Sequence, residues 1–381
     1  MATRRNLPNT TRSQALHREA EQAQDERLKQ AVVAWGKLSQ KQKMTLARET
    51  IETRAQELRL AFPDIIAVGH GMRTTGKKSG RLITQEPCVA FMVAKKWASK
   101  DAKRQANRAL PRYLLAYAEN KVGRRLLCAV PTDIESLTDN FRASPYARPQ
   151  ASAQIRVKAL GVNTQLGAIT CALNVPGSTV VHALSCHHVF AMSTATIPPG
   201  TEADGEVEVR ATDEPVGSLS AWRGRIVSSD QGPSFDAAIA RVNNINGLQQ
   251  ALGGIQPDSF IDSTDELRSV GVIARPGDAA GGKSLLKVKF VKVWDDFALI
   301  DYSPSIRPPP VQPTVVEWEV EDGVTVGGDS GSPVLTKDLK VLMGMHIAGA
   351  EGTRTAFMLP ANLLFFGPNY GKPGRLRLAK V

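Results

Sequence analysis

The sequence predicts a mainly β protein, with a helical segment and a small α/β module ahead of the β region. Three observations carry this. From about residue 153 to the C-terminus, short apolar runs are cut by Gly, Pro, Asp and Asn about every ten residues, as in a sandwich or barrel. Helical periodicity is concentrated between about 16 and 60. Between them lie apolar runs of strand length, such as PCVAFMVAKK at 87–96.

In chain order, residues 1 to about 14 read as disordered. In the next stretch Leu28, Val32, Trp35 and Leu38 share one helical face, and Met44, Ala47, Ile51, Ala55 and Leu58 another. Ser39 with Gln42 three residues on is a capping-box pattern, so a helix restarts there, and Pro63 closes the region. DIIAVGHGM (64–72), PCVAFMVAKK (87–96) and LLCAVPTDIES (126–136) read as strands, with a helical stretch around 101–118 interrupted by Pro111. A polar, Pro-containing link follows at 139–152. Beyond it the pattern is β until a short helical segment around Ala361 to Phe366.

Composition narrows the function. The 381 residues are 42% hydrophobic and 22% charged, ordinary for a globular chain. No apolar run reaches the roughly 20 residues of a membrane helix, and the basic N-terminus has no signal-peptide core, so a cytoplasmic location is expected. Cys88, Cys128, Cys171 and Cys186 form no C-x-x-C pair, which speaks against structural zinc and for free buried thiols. The net charge of +11 is concentrated: between Lys95 and Arg125 ten basic residues face Asp101 and Glu119, an excess of +8. This stretch reads either as a solvated face or as a surface for an acidic partner or nucleic acid. Few aromatics interleave it, which disfavours single-strand binding.

Three motifs within the β region carry chemistry. HALSCHHVFAM (182–192) is an apolar strand running into paired histidines. SFDAAIARV (234–242) opens an apolar segment with Asp236. VGGDSGSPVL (326–335) sets Ser330 among three glycines ahead of a strand. Each piece alone has a bland reading: a core histidine, a turn aspartate, a hairpin tip. Together, His, Asp and Ser in that order are the parts of a nucleophilic triad, in which a carboxylate fixes an imidazole that takes the serine proton.

These motifs resemble those of the chymotrypsin-like (trypsin-like) serine proteases over roughly 155 to 365. GDSGSP at 328–333 is similar to their nucleophile motif, with Ser332 where many members have glycine. LSCHHVFA resembles the histidine motif of the bacterial branch, and FDAAIARV the strand that carries the aspartate. IIAVGHGM, PCVAFMVAKK, the Leu110–Pro111 pair and VPTDIES extend the resemblance to a bacterial group with an N-terminal α/β module, similar also to plant NARROW LEAF 1-type proteins.

The resemblance implies a double six-stranded β-barrel protease domain at 153–381, a helical extension at 1–62, a small α/β module at 63–138 and a linker at 139–152. It implies a serine endopeptidase without cofactor or metal: His188 as base, Asp236 orienting it, Ser330 as nucleophile. Gly328 and Ser330 would form the oxyanion hole, and Asp329 would support the loop. Family members activated by cleavage pair that aspartate with a freed N-terminus; with about 150 residues ahead of the barrels, another partner is expected here. Val324, six residues before the serine, would lie at the base of the specificity pocket. Ile347 and Gly349 in MHIAG (345–349) would meet the substrate backbone, with His346 structural. His187, adjacent to the base, has no assigned role. Cys186, His187 and His188 also read as metal ligands, but adjacent residues rarely reach one ion. Some bacterial proteases of this type belong to defence operons, so a target in phage defence is an expectation from the resemblance alone. The alternatives are a catalytically silent protease-fold binding protein, or binding of nucleic acid or an acidic partner through 95–125.

Two rival motifs fail on context. GDAAGGKS (277–284) satisfies a phosphate-loop pattern, but a strand-like LLKVKFVKV follows where a helix is needed. An α/β-hydrolase would need its histidine last in the chain.

Overall fold

The computed structural model describes residues 24–75, 82–93, 110–119, 123–136, 141–142, 153–158, 165–190, 206–209, 215–218, 236–277, 282–297, 300–301, 312–350, 353–366 and 375–381. The chain divides into two compact units, Met1–Thr74 with Thr84–Ser136 and Thr75–Ile83 with Leu137–Val381. Among the described residues no helix is long and apolar enough to cross a membrane.

The first unit packs helices α1 (24–36) and α2 (Gln40–Ala61) on strands β1 (Ile65–Thr75), β2 (Leu82–Val93), β3 (Tyr113–Glu119) and β4 (Arg125–Ser136), in sheet order β1-β2-β4-β3. The capping box forms: Gln42 N–H donates to Ser39 Oγ and the Gln42 side chain accepts from Ser39 N–H at 3.0 Å. Trp35, Leu46, Ala47, Ile51 and Leu58 pack against Ile65, Val68, Val89, Phe91, Leu114 and Val130. Of the expected stripe, Trp35 on α1 is buried and Leu28 and Leu38 are partly buried, while Val32 is 37% exposed and Ala31 and Ala34 are buried beside it. The helix expected around 101–118 is corrected. Residues 101–109 lie outside the described residues, and Tyr113–Glu119 is a strand paired antiparallel with β4 from Tyr113↔Pro131 to Glu119↔Arg125. Leu and Ala favour helix, but pairing along the whole strand and burial of Leu114 against the core override that preference.

The second unit opens with β5 (Phe141–Arg142), inside the expected linker, and then builds two sheets. The first contains β6 (Ile155–Lys158), β7 (Gln165–Gly167), β8 (Cys171–Asn174), β9 (Val181–Ser185), β10 (Glu206–Val209), β11 (Pro215–Ser218), β12 (Ala238–Val242) and β21 (Arg377–Leu378), in order β21-β8-β9-β12-β11-β10-β6-β7. Residues 168–170 join β7 at one end of the sheet to β8 near the other, so the sheet must curl back on itself. Short helix α3 (His187–Phe190) follows β9. Helix α4 (Ile245–Leu252) follows β12, capped by Asn244 and by Gly253 at φ +58°.

The second sheet contains β13 (Ser259–Phe260), β14 (Val270–Pro276), β15 (Lys283–Phe297), β16 (Ile300–Asp301), β17 (Gln312–Val320), β18 (Pro333–Leu335), β19 (Val341–Ala350) and β20 (Thr355–Pro360), with α5 (Ala361–Phe366) after it. Six strands, β14-β18-β19-β20-β17-β15, are antiparallel throughout, and β15 pairs again with β14 to close a barrel. Its interior face carries the buried side chains of Ile273, Val288, Trp318, Val334 and Met358. The mainly β, barrel-containing architecture is the one the sequence predicts. At the GDAAGGKS stretch, whose residues 278–281 lie outside the described residues, β14 meets β15: Pro276 pairs with Lys283, and Gly277 N–H donates to Gly282 C=O at 2.9 Å.

Candidate active site

The imidazole and the carboxylate are brought together by one strand pair. β12 runs antiparallel to β9 with Ala238 opposite Ser185, so the residues just before β12 face those just after β9. Cys186 C=O accepts from Val189 and Phe190 N–H at 3.2 Å each, which tightens the turn that presents His188. His188 N–H donates to Asp236 Oδ1 at 3.0 Å, and His188 Nδ1 lies 3.0 and 2.9 Å from the two carboxylate oxygens. Both side chains are buried, at 3% and 0% exposure. An ionised carboxylate only accepts, so this contact puts the ring proton on Nδ1 and leaves the Nε2 lone pair as acceptor.

The serine sits on a turn that backbone geometry fixes. Gly328 and Gly331 adopt φ +86° and +87°, a region glycine enters without steric cost. Asp329 N–H donates to Val326 C=O, Ser332 N–H to Asp329 C=O, and Gly331 N–H to His346 C=O at 2.9 Å. Asp329, 1% exposed, accepts from Val326 N–H at 2.9 Å and faces Arg275 Nη1 at 3.6 Å. Among the described residues no acceptor is paired with the N–H of Gly328 or of Ser330. The Ser330 hydroxyl donates to Ile347 C=O at 3.4 Å.

The histidine and serine pieces meet across Gly167. A Cβ there would lie 2.6 Å from both Val189 methyls and 2.9 Å from Ser330 O. Ala168 N–H donates to Ser330 C=O at 2.8 Å and the Thr170 hydroxyl to Gly331 C=O at 2.6 Å. Gly331 is pressed so closely that a Cβ would fall 2.1 Å from Ala168 O. The serine turn therefore rests on the residues that join β7 to β8 and packs beside α3.

Burial sets the state of the surrounding groups. His346, 2% exposed, is pushed down to about 4 by desolvation, partly offset by the Phe357 carbonyl. His187 is half-buried as a residue, but its Nδ1 is shielded from solvent, and desolvation pushes it to about 4 against the attraction of Asp236. Cys186 is fully buried. Burial first, then the Asp236 charge, pushes its thiol well above the ordinary range. Cys186, His188 and Asp236 present ligand atoms within 4.8 Å of one another, the metal-type grouping nearest to the one weighed from sequence. Binding an ion through all three would require the thiol to ionise and would compete with the His188–Asp236 contact.

The remaining predicted residues are placed as follows. Val324 is half-buried, with its carbonyl accepting from Arg275 Nη1 at 2.9 Å. Ile347 is fully buried and its carbonyl faces the serine. Gly349 lies against Thr325, whose Oγ1 would stand 2.3 Å from a Cβ. Of the basic stretch, Lys95, Lys96, Lys100, Lys103, Arg104, Arg108 and Lys121 lie outside the described residues. Arg112, Arg124 and Arg125 are exposed, and the Arg125 guanidinium stacks on Tyr117 at 4.9 Å. Sequence reasoning missed Arg275, Gly167 and Thr170. All three act through contacts distant in the chain, and no local pattern marks them.

No protein-family model matches the sequence, and no curated protein does. Among solved structures, the NS6 protease from murine norovirus 1 aligns at 17% identity and TM-score 0.27, covering 51% of this chain and 82% of that one. Tobacco vein mottling virus protease aligns at 8% and 0.31, covering 61% and 89%. A scabies mite inactivated protease paralogue aligns at 13% and 0.33, covering 57% and 96%. At these values the chemistry must be argued from the side chains of this chain.

Proposed function

We propose that the chain is a serine endopeptidase that hydrolyses peptide bonds in protein or peptide substrates. The observation that carries the reading is the buried His188–Asp236 pair, joined by three contacts of 2.9–3.0 Å, beside a glycine-shaped turn bearing Ser330. His188 Nε2 takes the proton as Ser330 Oγ attacks the scissile carbonyl, and Asp236 stabilises the imidazolium that results. The N–H groups of Gly328 and Ser330 receive the oxyanion, a contribution of roughly 10²–10³ in rate per donor. His188 then returns the proton to the leaving amine, and water repeats the sequence on the acyl-enzyme. With Val324 at the pocket base, apolar residues are favoured on the acyl side, because an unpaired cation buried there costs several kcal/mol.

One observation favours a second reading, a protease fold that binds peptide without cleaving it. The serine hydroxyl is hydrogen-bonded to Ile347 C=O. Catalytic hydrogen bonds are often long or misaligned before substrate binds, so this contact is compatible with both. A fluorophosphonate probe separates them. Phosphonylation of Ser330, lost in Ser330→Ala, is the expected result. Folded protein that stays unlabelled leaves the binding reading.

A further inference from the structure

Arg275 stands next to last in β14, at the base of the β14–β15 hairpin. Its side chain is 13% exposed and reaches three separate places. Nε donates across the hairpin to Ser284 Oγ at 3.1 Å. Nη1 donates to Val324 C=O at 2.9 Å and lies 3.6 Å from Asp329 Oδ2. The chain between those last two points, Val324 to Asp329, is the entry to the turn that carries the Gly328 and Ser330 amides.

That turn needs a fastening. Glycine permits the φ of +86° and +87° at Gly328 and Gly331 but does not enforce it. Asp329 bridges the turn through Val326 N–H, and a carboxylate this buried is costly without a cation to answer it. The other side of the turn is tied to Ala168 and Thr170. The same hairpin reaches there too, since Lys283 Nζ donates to the intervening Ile169 C=O at 2.8 Å.

We infer that Arg275 is the positioning residue of the nucleophile turn: its guanidinium fixes Val324 and Asp329 together, and so holds the Gly328 and Ser330 amides aimed at one point. This rests on the hydrolytic reading of Ser330. It follows that the counter-charge of Asp329 belongs to the folded chain, and the full-length protein is assembled for reaction without a cleavage that frees a new amine. Lysine cannot take the place of Arg275, because a single ammonium cannot hold a fork of contacts.

The test compares full-length wild type, Arg275→Met and Arg275→Lys by two readouts. The first is amide hydrogen exchange, which needs no activity. In Arg275→Met the amides of Val326, Asp329 and Ser332 exchange at least tenfold faster, with those of β9 and β12 unchanged; Arg275→Lys lies between. The second is turnover with fluorophosphonate labelling: kcat and the labelling rate fall about 100-fold, the scale of one lost oxyanion donor, with KM nearly unchanged. Unchanged exchange over 326–332 in Arg275→Met, or in Arg275→Lys if the Met variant does not fold, overturns the assignment. Wild type that is inert until cut by another protease overturns the activation claim. Wild type that never labels or cleaves sinks the hydrolytic reading, while the exchange comparison still decides the role of Arg275.

Discussion

His187 and His188 are neighbours in one turn, yet their surroundings give them different chemistry. His188 has a carboxylate on Nδ1, whereas the Nδ1 of His187 is shielded from solvent and has no acceptor among the described residues. Single alanine replacements of Ser330, His188 and Asp236 are each expected to lower peptide turnover by about 10⁴ or more, and the double and triple variants to fall little further, because the three act as a unit. His187→Ala keeps most activity; a dead His187→Ala beside an active His188→Ala would reverse the assignment of the base. His346 carries a different prediction. Its pKa is about 4 in the folded chain against an ordinary 6.5, so between those values the unfolded chain binds more protons. Its contribution to stability is therefore complete above pH 6.5 and is lost as the pH falls toward 4, a span on the order of 3 kcal/mol. Urea unfolding at pH 7 and pH 5 measures this. In His346→Leu the acid loss is expected to shrink, and an unchanged pH slope would mean that other groups carry it.

At the scale of elements, two glycines decide how closely the pieces of the site approach. Gly331→Ala would put a methyl group 2.1 Å from Ala168 O and 2.4 Å from Ser185 Oγ, at a φ that L-residues rarely adopt. Such a contact cannot relax without moving the turn off the 168–170 segment, so labelling at Ser330 is expected to fall at least 100-fold while circular dichroism stays that of a folded β protein. Normal labelling would show that the turn has room the contacts deny. The sequence exposes the elements unevenly, for physical reasons. The Ser39–Gln42 cap and the Pro63 stop are local, so they can be read directly. So can the three chemical motifs, because each pairs a functional residue with an adjoining strand or turn. Strand β3 is misread because Tyr113–Glu119 takes its structure from β4 and the helices packed on it, not from its own residues. Helix α4 was legible but missed, since Asn244 and Gly253 bracket it with cap residues. Arg275 could not be read at all, because its three contacts lie 9 to 54 residues away in the chain.

Across the whole molecule the charge is uneven, and this bears on what the N-terminal half does. The helices of the first unit bury Trp35, Leu46, Ile51 and Leu58 within that unit's core. The sequence carries an excess of +8 between Lys95 and Arg125, and Arg112, Arg124 and Arg125 of that stretch are exposed among the described residues. Fields from exposed charges reach about 10 Å at 0.1 M salt and about 3 Å at 1 M, so capture of an acidic partner by this stretch must weaken as salt rises. We propose that the stretch gathers acidic substrates or partners and that the N-terminal half thereby regulates cleavage. The comparison is between the full chain and a chain starting at Ala151, each assayed on one peptide with acidic flanks and one with neutral flanks, at 0.05 M and 0.5 M salt. In the full chain, kcat/KM for the acidic peptide is expected to drop several-fold with salt, mostly through KM, while the neutral peptide changes little. The shortened chain loses that difference. If it folds and matches the full chain in activity and salt response on both peptides, the N-terminal half does not regulate cleavage and the basic stretch is a solvated face.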